Sequence, residues 1–236
     1  MKGTLYLIPT TLGKTPENNT IPEYTLSILR GLESLVVENI QTSVKFLQWV
    51  GDTIPEYKID FYQLNKNTPD TEIFSFLKPL KAGKDVGLLS EAGAPAVADP
   101  GAKLVKMAHQ NGIKVVPLVG PSSILLALMA TGFNGQQFSF HGYLPIDSNK
   151  RKQMLIQLEG ESRRHDRTQL FMEAPHRNNE LFQAVLDSCT PQTWFSVATD
   201  ITLETEEIAT KPISEWKSNP PTDLHKRPTI FSIYAK

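Results

Sequence analysis

The residues of this sequence that can do chemistry fall into a few short runs. Glu173-Ala-Pro-His-Arg177 holds a carboxylate, an imidazole and a guanidinium. Its arginine can grip a phosphate or a carboxylate, while Glu173 orients that group or accepts a proton. Ser90-Glu91-Ala-Gly93-Ala94 sets one carboxylate among small residues. Gly120-Pro-Ser122-Ser123-Ile124 opens an apolar run with two hydroxyls, where the unpaired N–H groups of a helix start can hold an anion. Lys150-Arg-Lys152 is a cationic group able to touch nucleic-acid phosphates without reading bases. Glu38 and Asp200 each close an apolar, strand-like run. Each run also has a plainer reading: a carboxylate suited to a helix end, a strand–turn–helix joint, a solvated helix face or a strand-end turn aspartate.

The elements that must position these groups follow from the pattern of apolar residues. Val86–Leu89 has the length and composition of a buried strand, and ligands bind beyond the carboxyl ends of strands in an open α/β sheet. Glu91 and the backbone at Gly93 would therefore face a ligand. Asp99-Pro100 caps the helical run from Ala102 to His109. Upstream, the strand Thr4–Ile8 is broken by Pro9-Thr-Thr-Leu12-Gly13, which is neither a Walker loop nor a GxGxxG fingerprint. Thr20 and Glu23 predict a capping box for a helix through Leu32, followed by a strand ending at Glu38. Helix over 42–50, strand over 57–64, one helix opened by Thr68-Pro69-Asp70 and strand over 113–118 complete the first half. Strands alternating with helices predict a parallel α/β sheet.

Beyond Gly132 the rhythm changes. Strands are predicted at 138–143, 169–172, 194–198, 204–209 and 229–234, with helices over 148–158, from 173 through 186, and over 212–217. Arg163–Arg167 reads as a polar turn. Fewer helices per strand predict a mixed sheet, so the fold class is two-domain α/β with boundaries at 1–119 and 120–236.

Composition narrows the function. The 236 residues are 40% hydrophobic and 21% charged with a net charge of −1, so no overall basic field draws in nucleic acid. A lone cysteine, Cys189, excludes an internal disulfide and fits a reducing compartment. The five histidines lack ligand spacing, so no metal site is expected. No apolar run reaches a membrane span and the amino terminus does not read as a signal peptide, which makes the cytoplasm the expected location.

Ser90-Glu-Ala-Gly-Ala-Pro with Asp99-Pro-Gly101, followed by Val116-Pro-Leu-Val-Gly-Pro-Ser-Ser123, resembles the tetrapyrrole methylase superfamily of S-adenosylmethionine (SAM) methyltransferases. Within it, Glu173-Ala-Pro-His-Arg177 and the basic run after Gly142-Tyr-Leu-Pro145 are similar to the branch that methylates small-subunit ribosomal RNA. The resemblance implies two α/β domains with SAM bent into a cleft between them, and a homodimer. By position, SAM would meet the first loop at Pro9 and Leu12, the central loop at Glu91, Gly93 and Ala94, and the helix start at Ser122, Ser123 and Ile124. Met172 and the segment around Pro228 would complete the contacts, many of them through the main chain. The acceptor would be a ribose 2′-hydroxyl, which must lose a proton; Glu38, Glu173 and Asp200 are the available carboxylates, with Arg177 beside Glu173. The sequence also departs from this branch. Where the branch carries Glu-Asp-Thr-Arg, this chain has Glu38-Asn-Ile-Gln41, and its Leu203 replaces a lysine. A tetrapyrrole or other acceptor, or a non-catalytic SAM- or RNA-binding module, therefore stands beside the ribosomal RNA reading.

Overall fold

The computed structural model describes residues 1–15 and 18–236, which divide into two units, Met1–Ser122 and Ser123–Lys236. In the first unit, strands β1 (Thr4–Ile8), β2 (Ser34–Val37), β3 (Asp60–Gln63), β4 (Val86–Leu89) and β5 (Lys114–Pro117) pair in the order β3-β2-β4-β1-β5. Every pairing is parallel. The helices between them are α1 (Glu23–Arg30), α2 (Ile40–Val50), α3 (Asp70–Ser75), α4 (Leu77–Lys81) and α5 (Ala102–Gln110).

A parallel sheet needs cover on both faces, and the residues supply it. Val36 and Leu88 enter one apolar cluster with Leu77, Leu80 and Leu104. Their chain neighbours Leu35, Val37 and Leu89 enter another with Leu26, Leu29 and Leu47. All four residues of β4 are buried. Because the strands are parallel and β4 lies between β2 and β1, the segments after Val37, Leu89 and Ile8 leave the same edge of the sheet.

Local chemistry moves several predicted boundaries. The Thr20–Glu23 capping box does not form: Asn18 accepts from the amides of Thr20 and Ile21, and the hydroxyl of Thr20 is buried without a partner among the described residues. The strand predicted from residue 57 begins at Asp60, because Pro55 opens a 3₁₀ turn over Glu56–Lys58. The single helix predicted after Thr68 is two, broken at Phe76. Pro79 has no N–H for the carbonyl of Ser75, so the ladder lapses one turn before it.

The second unit is built on β6 (Phe138–Tyr143), β7 (Thr168–Met172), β8 (Trp194–Thr199), β9 (Glu207–Pro212) and β10 (Thr229–Tyr234), in the order β6-β7-β10-β8-β9. Only β6 and β7 are parallel, so the sheet is mixed as its sequence rhythm predicts. Helices α6 (Ser123–Thr131), α7 (Ser148–His165), α8 (Asn178–Ser188) and α9 (Ile213–Ser218) accompany it. Phe171, Phe231 and Phe195 stack across neighbouring strands, with Trp216 edge-on against Phe195. The Trp216 indole donates to the Phe195 carbonyl at 2.8 Å, which allows so large a polar ring into the core.

Arg163–Arg167 corrects the predicted polar turn. Helix α7 runs through to His165, and Asp166 ends it in the left-handed conformation at φ 50°. Its last turn holds Arg163, Arg164 and His165, and the two guanidiniums suit a helix carboxyl terminus.

Candidate functional site

In the first unit, three loops meet beyond the sheet edge. Thr10 and Gly93 pair through their main chains, Thr10 N–H to Gly93 O at 3.0 Å and Gly93 N–H to Thr10 O at 3.2 Å. The Ser90 hydroxyl donates to Gly93 O at 2.7 Å, and the Thr10 hydroxyl to Ser90 O at 3.2 Å. Gly93 holds φ +73°, and a Cβ there would stand 3.0 Å from Leu12 Cδ2 and 3.4 Å from the Pro121 carbonyl oxygen. At Gly120 a Cβ would come within 2.5 Å of Pro9 Cβ. Pro9, Leu12, Gly93 and Ser122 are thus brought together by close backbone approach, with Glu91 and Ala94 on the same loop.

Two alanines of that loop, Ala96 and Ala98, also hold positive φ, +66° and +58°. Each costs about 1–3 kcal/mol and persists only where its surroundings over-determine it. Asp99 helps to do so, accepting from the amides of Ala96 at 3.0 Å and Gly101 at 2.6 Å. Asp99 therefore ties the loop to the approach of α5, which itself starts only at Ala102.

Glu38, at the end of β2, is half-buried. Burial first, then the charges of Asp99 and Glu91, push its carboxyl above the usual range. The Asp99 carboxyl is also raised, by burial, although its two amide partners oppose this. Two loops thus bring three carboxylates together, of which Glu38 is the one best poised to take a proton. The Thr42 hydroxyl donates to Glu91 Oε1 at 2.7 Å and fixes that side chain. Beside it lies a cavity of about 310 Å³, bordered by Leu12, Thr42, Phe46, Trp49 and Glu91. The Phe46 and Trp49 rings stack at 5.8 Å.

The second unit gathers its own polar cluster where β7 ends. Glu173 is buried, and its Oε1 accepts from the Ala174 amide and from Arg177 Nη2, both at 2.6 Å. Burial alone would raise this carboxyl, but the Arg177 and Ala174 hydrogen bonds, with the charges of Arg177 and Arg151, hold it below the usual range. Glu173 is therefore anionic and oriented, a better acceptor than base. Pro175–Arg177 form a 3₁₀ turn, so α8 begins only at Asn178 and Arg177 is left beside the strand end. Asn178 donates to the Arg227 carbonyl at 2.6 Å, which joins this turn to the segment leading into β10.

Met172 pairs with Ile230, and the Asp200 amide donates to the Pro228 carbonyl at 2.9 Å, so Met172, Pro228 and Asp200 share one edge of the second sheet. The Asp200 carboxylate accepts from Arg227 Nε at 2.7 Å and the Thr205 hydroxyl at 2.9 Å. Both bonds shape its turn, where Asp200 and Thr202 hold φ of +51° and +73°. Ser123 and Ile124 open α6 and are half-buried. Sequence reasoning did not find the Thr42–Glu91 bond or the Phe46–Trp49 cavity, because helical spacing alone marks those rings as ordinary core. Nor did it separate Arg151 from Lys150 and Lys152; only Arg151 is buried. Among the described residues, no group of histidine, cysteine, aspartate and glutamate could hold a metal.

The whole chain takes a fold seen in solved tetrapyrrole methyltransferases. It aligns with the methyltransferase CobJ at a TM-score of 0.63 and 16% identity, covering 99% of this chain and 94% of that one. It aligns with uroporphyrin-III C-methyltransferase from Thermus thermophilus, complexed with S-adenyl homocysteine, at 0.60 and 12%, covering 98% and 97%. This defines the class as a two-unit α/β methyltransferase fold. The family model for tetrapyrrole (corrin/porphyrin) methylases matches residues 44–217, and the chain belongs to that family. Among similar proteins are the ribosomal RNA small subunit methyltransferases I of Vibrio cholerae and Bacillus subtilis. The first is 31% identical over 89% of this chain and 69% of its own length, the second 32% over 90% and 68%.

A SAM-dependent methyltransferase of this family needs a cofactor cradle, and the first-unit loops fit one. Small residues, Ala92 exposed and Ala94 half-buried, flank the buried Gly93, and the close approaches at Gly93 and Gly120 hold that backbone in place.

Proposed function

We propose that this chain transfers a methyl group from SAM to a ribose 2′-hydroxyl of small-subunit ribosomal RNA. The observation that carries this reading is the similarity, at 31–32% identity over about nine-tenths of the chain, to proteins named ribosomal RNA small subunit methyltransferase I. The polar cluster of Glu173 and Arg177 supports it from the chemical side, since it offers what an RNA sugar-phosphate requires.

When bound, the cofactor supplies an electrophilic methyl on a good leaving group. The chain's work is alignment, which contributes on the order of 7–11 kcal/mol when the geometry is right, and removal of one proton. Pro9, Leu12, Gly93, Ala94 and Ser122 hold SAM, largely through main-chain groups. Glu38 takes the hydroxyl proton, its raised carboxyl being better matched to that task than the depressed Glu173. Glu173 and Arg177 orient the substrate, and Asp200 shapes the strand-end turn beside Pro228. The enzyme works in the cytoplasm, where ribosomal subunits are assembled, as a homodimer.

The test is tritiated-methyl transfer into small subunits purified from cells lacking this protein. Label in the ribosomal RNA, at a nucleotide that becomes resistant to alkaline cleavage, is the expected result. SAM binding by calorimetry without any label in the RNA would refute it.

A further inference from the structure

Four basic residues lie in two short runs of the second unit, and their surroundings differ. Lys150 and Lys152 are exposed on α7, while Arg151 between them is only 7% exposed. Its Nη1 donates a long hydrogen bond to the Ile146 carbonyl at 3.4 Å, and its Nε has no partner among the described residues. A guanidinium carries five N–H donors, and burying it with so few partners is costly unless something else engages it. Helix α7 packs against β7, the strand that Glu173 follows, and the charge of Arg151 acts on Glu173.

Glu173 shows the complementary deficit. Its side chain is 0% exposed, Oε1 accepts two hydrogen bonds and Oε2 accepts none from the described residues. Arg177, a quarter exposed at the edge of the cluster, also has an Nε without a partner. Two guanidiniums thus act on the buried Glu173 carboxylate, and the exposed Glu180 carboxylate acts on Arg177 as well. The unmet groups are of both kinds, cationic N–H donors and one anionic acceptor. A simple anion would satisfy the donors alone, and a simple alcohol only the acceptor. A ribose phosphate offers both, an anionic oxygen and a hydroxyl on neighbouring atoms.

We infer that Arg151, Glu173 and Arg177 form a ribose-phosphate recognition site. The two guanidiniums hold a backbone phosphate and Glu173 Oε2 accepts a sugar hydroxyl. This deepens the RNA reading above and rests on it. It also assigns Arg151 a role distinct from that of Lys150 and Lys152, whose exposed ammonium groups add only unspecific attraction. Because DNA lacks the 2′-hydroxyl, the site discriminates between the two nucleic acids.

The test measures binding of a single-stranded small-subunit RNA fragment, and of DNA of the same sequence, to the full chain with S-adenosylhomocysteine across a salt series. The wild type is expected to prefer RNA. Arg151→Gln is expected to weaken RNA and DNA binding tenfold or more and to lower the slope of log affinity against log salt by about 0.7, the loss of one single-strand phosphate contact. Arg151→Lys, which keeps the charge if the glutamine variant folds poorly, is expected to retain the slope. Glu173→Gln is expected to weaken RNA alone, removing the preference. Unchanged RNA affinity and slope in a folded Arg151→Gln, or an intact RNA preference in Glu173→Gln, would overturn the site. If the wild type still labels small subunits in that case, the RNA reading survives without it. A wild type that neither labels subunits nor binds RNA overturns both.

Discussion

Replacing Gly93 by alanine tests the loop cradle most directly. The residue holds φ +73°, where an L side chain costs roughly 1–2 kcal/mol. The new Cβ would also stand 3.0 Å from Leu12 Cδ2 and 3.4 Å from the Pro121 carbonyl oxygen, so Leu12 must give by a few tenths of an ångström. Together these predict a loss of about 1–3 kcal/mol in the first unit, or about 2–12 °C in its melting temperature at about 2–4 °C per kcal/mol. If the loop relaxes instead, it must move the peptide pair between Thr10 and Gly93, and the strain reappears as weaker cofactor binding. Each 1.4 kcal/mol so transferred weakens SAM about tenfold. Gly160→Ala is the control: it lies inside α7 with nothing within 4 Å of its Cβ, and is expected to stabilise by about 0.5–1 kcal/mol. Calorimetric SAM titration with differential scanning calorimetry reads both quantities. A Gly93→Ala protein with wild-type melting and wild-type SAM affinity would refute the argument that this backbone is held in place.

Further outcomes follow from the charged groups. Glu173→Ala removes two hydrogen bonds of 2.6 Å from a buried carboxylate. It is expected to destabilise the second unit by about 2–3 kcal/mol, below the full cost of breaking a buried pair because Arg177 is a quarter exposed. Since the Glu173 carboxyl is depressed in the fold, its contribution is complete above the unfolded value of about 4.3. It fades as pH falls through the folded value, so urea titrations should show the gap between variant and wild type closing in acid. Glu38→Gln is expected to reduce methyl transfer by about 10²–10⁴ and to abolish the acidic limb of the kcat profile. A raised carboxyl stabilises the fold below its unfolded value and loses that contribution as pH rises through the folded one. The same variant should therefore melt higher than wild type at neutral pH; full activity in Glu38→Gln would exclude it as the base. Burial, then Glu159, pushes the Cys189 thiol up to about 12. Iodoacetamide at pH 8 should leave the native protein unmodified and label it fully in denaturant; rapid native labelling would contradict that burial.

Short stretches of chain carry much of the fold in their own residues. Thr4–Ile8, Val86–Leu89, Phe138–Tyr143 and Thr229–Tyr234 are strands at the residues their apolar runs predict, because proline, glycine or charged residues bound them on the chain itself. The parallel first sheet and mixed second sheet were legible for the same reason, from the spacing of helices between strands. Some misses were also local: Pro79 and Pro55 carry their own explanation, and the long α7 shows basic residues completing a helix rather than ending it. What only the tertiary structure decided depends on groups distant in sequence. Placing β4 between β2 and β1 brings Glu38 into the field of Glu91 and Asp99, and so sets which carboxyl is raised. Burial of Arg151 alone among three adjacent cations depends on how α7 packs, and Glu173, on which its charge acts, follows strand β7. Charge and solvation act through space, so residues 22 to 61 positions apart settle protonation and partner choice, and no local window of the chain contains both members of such a pair.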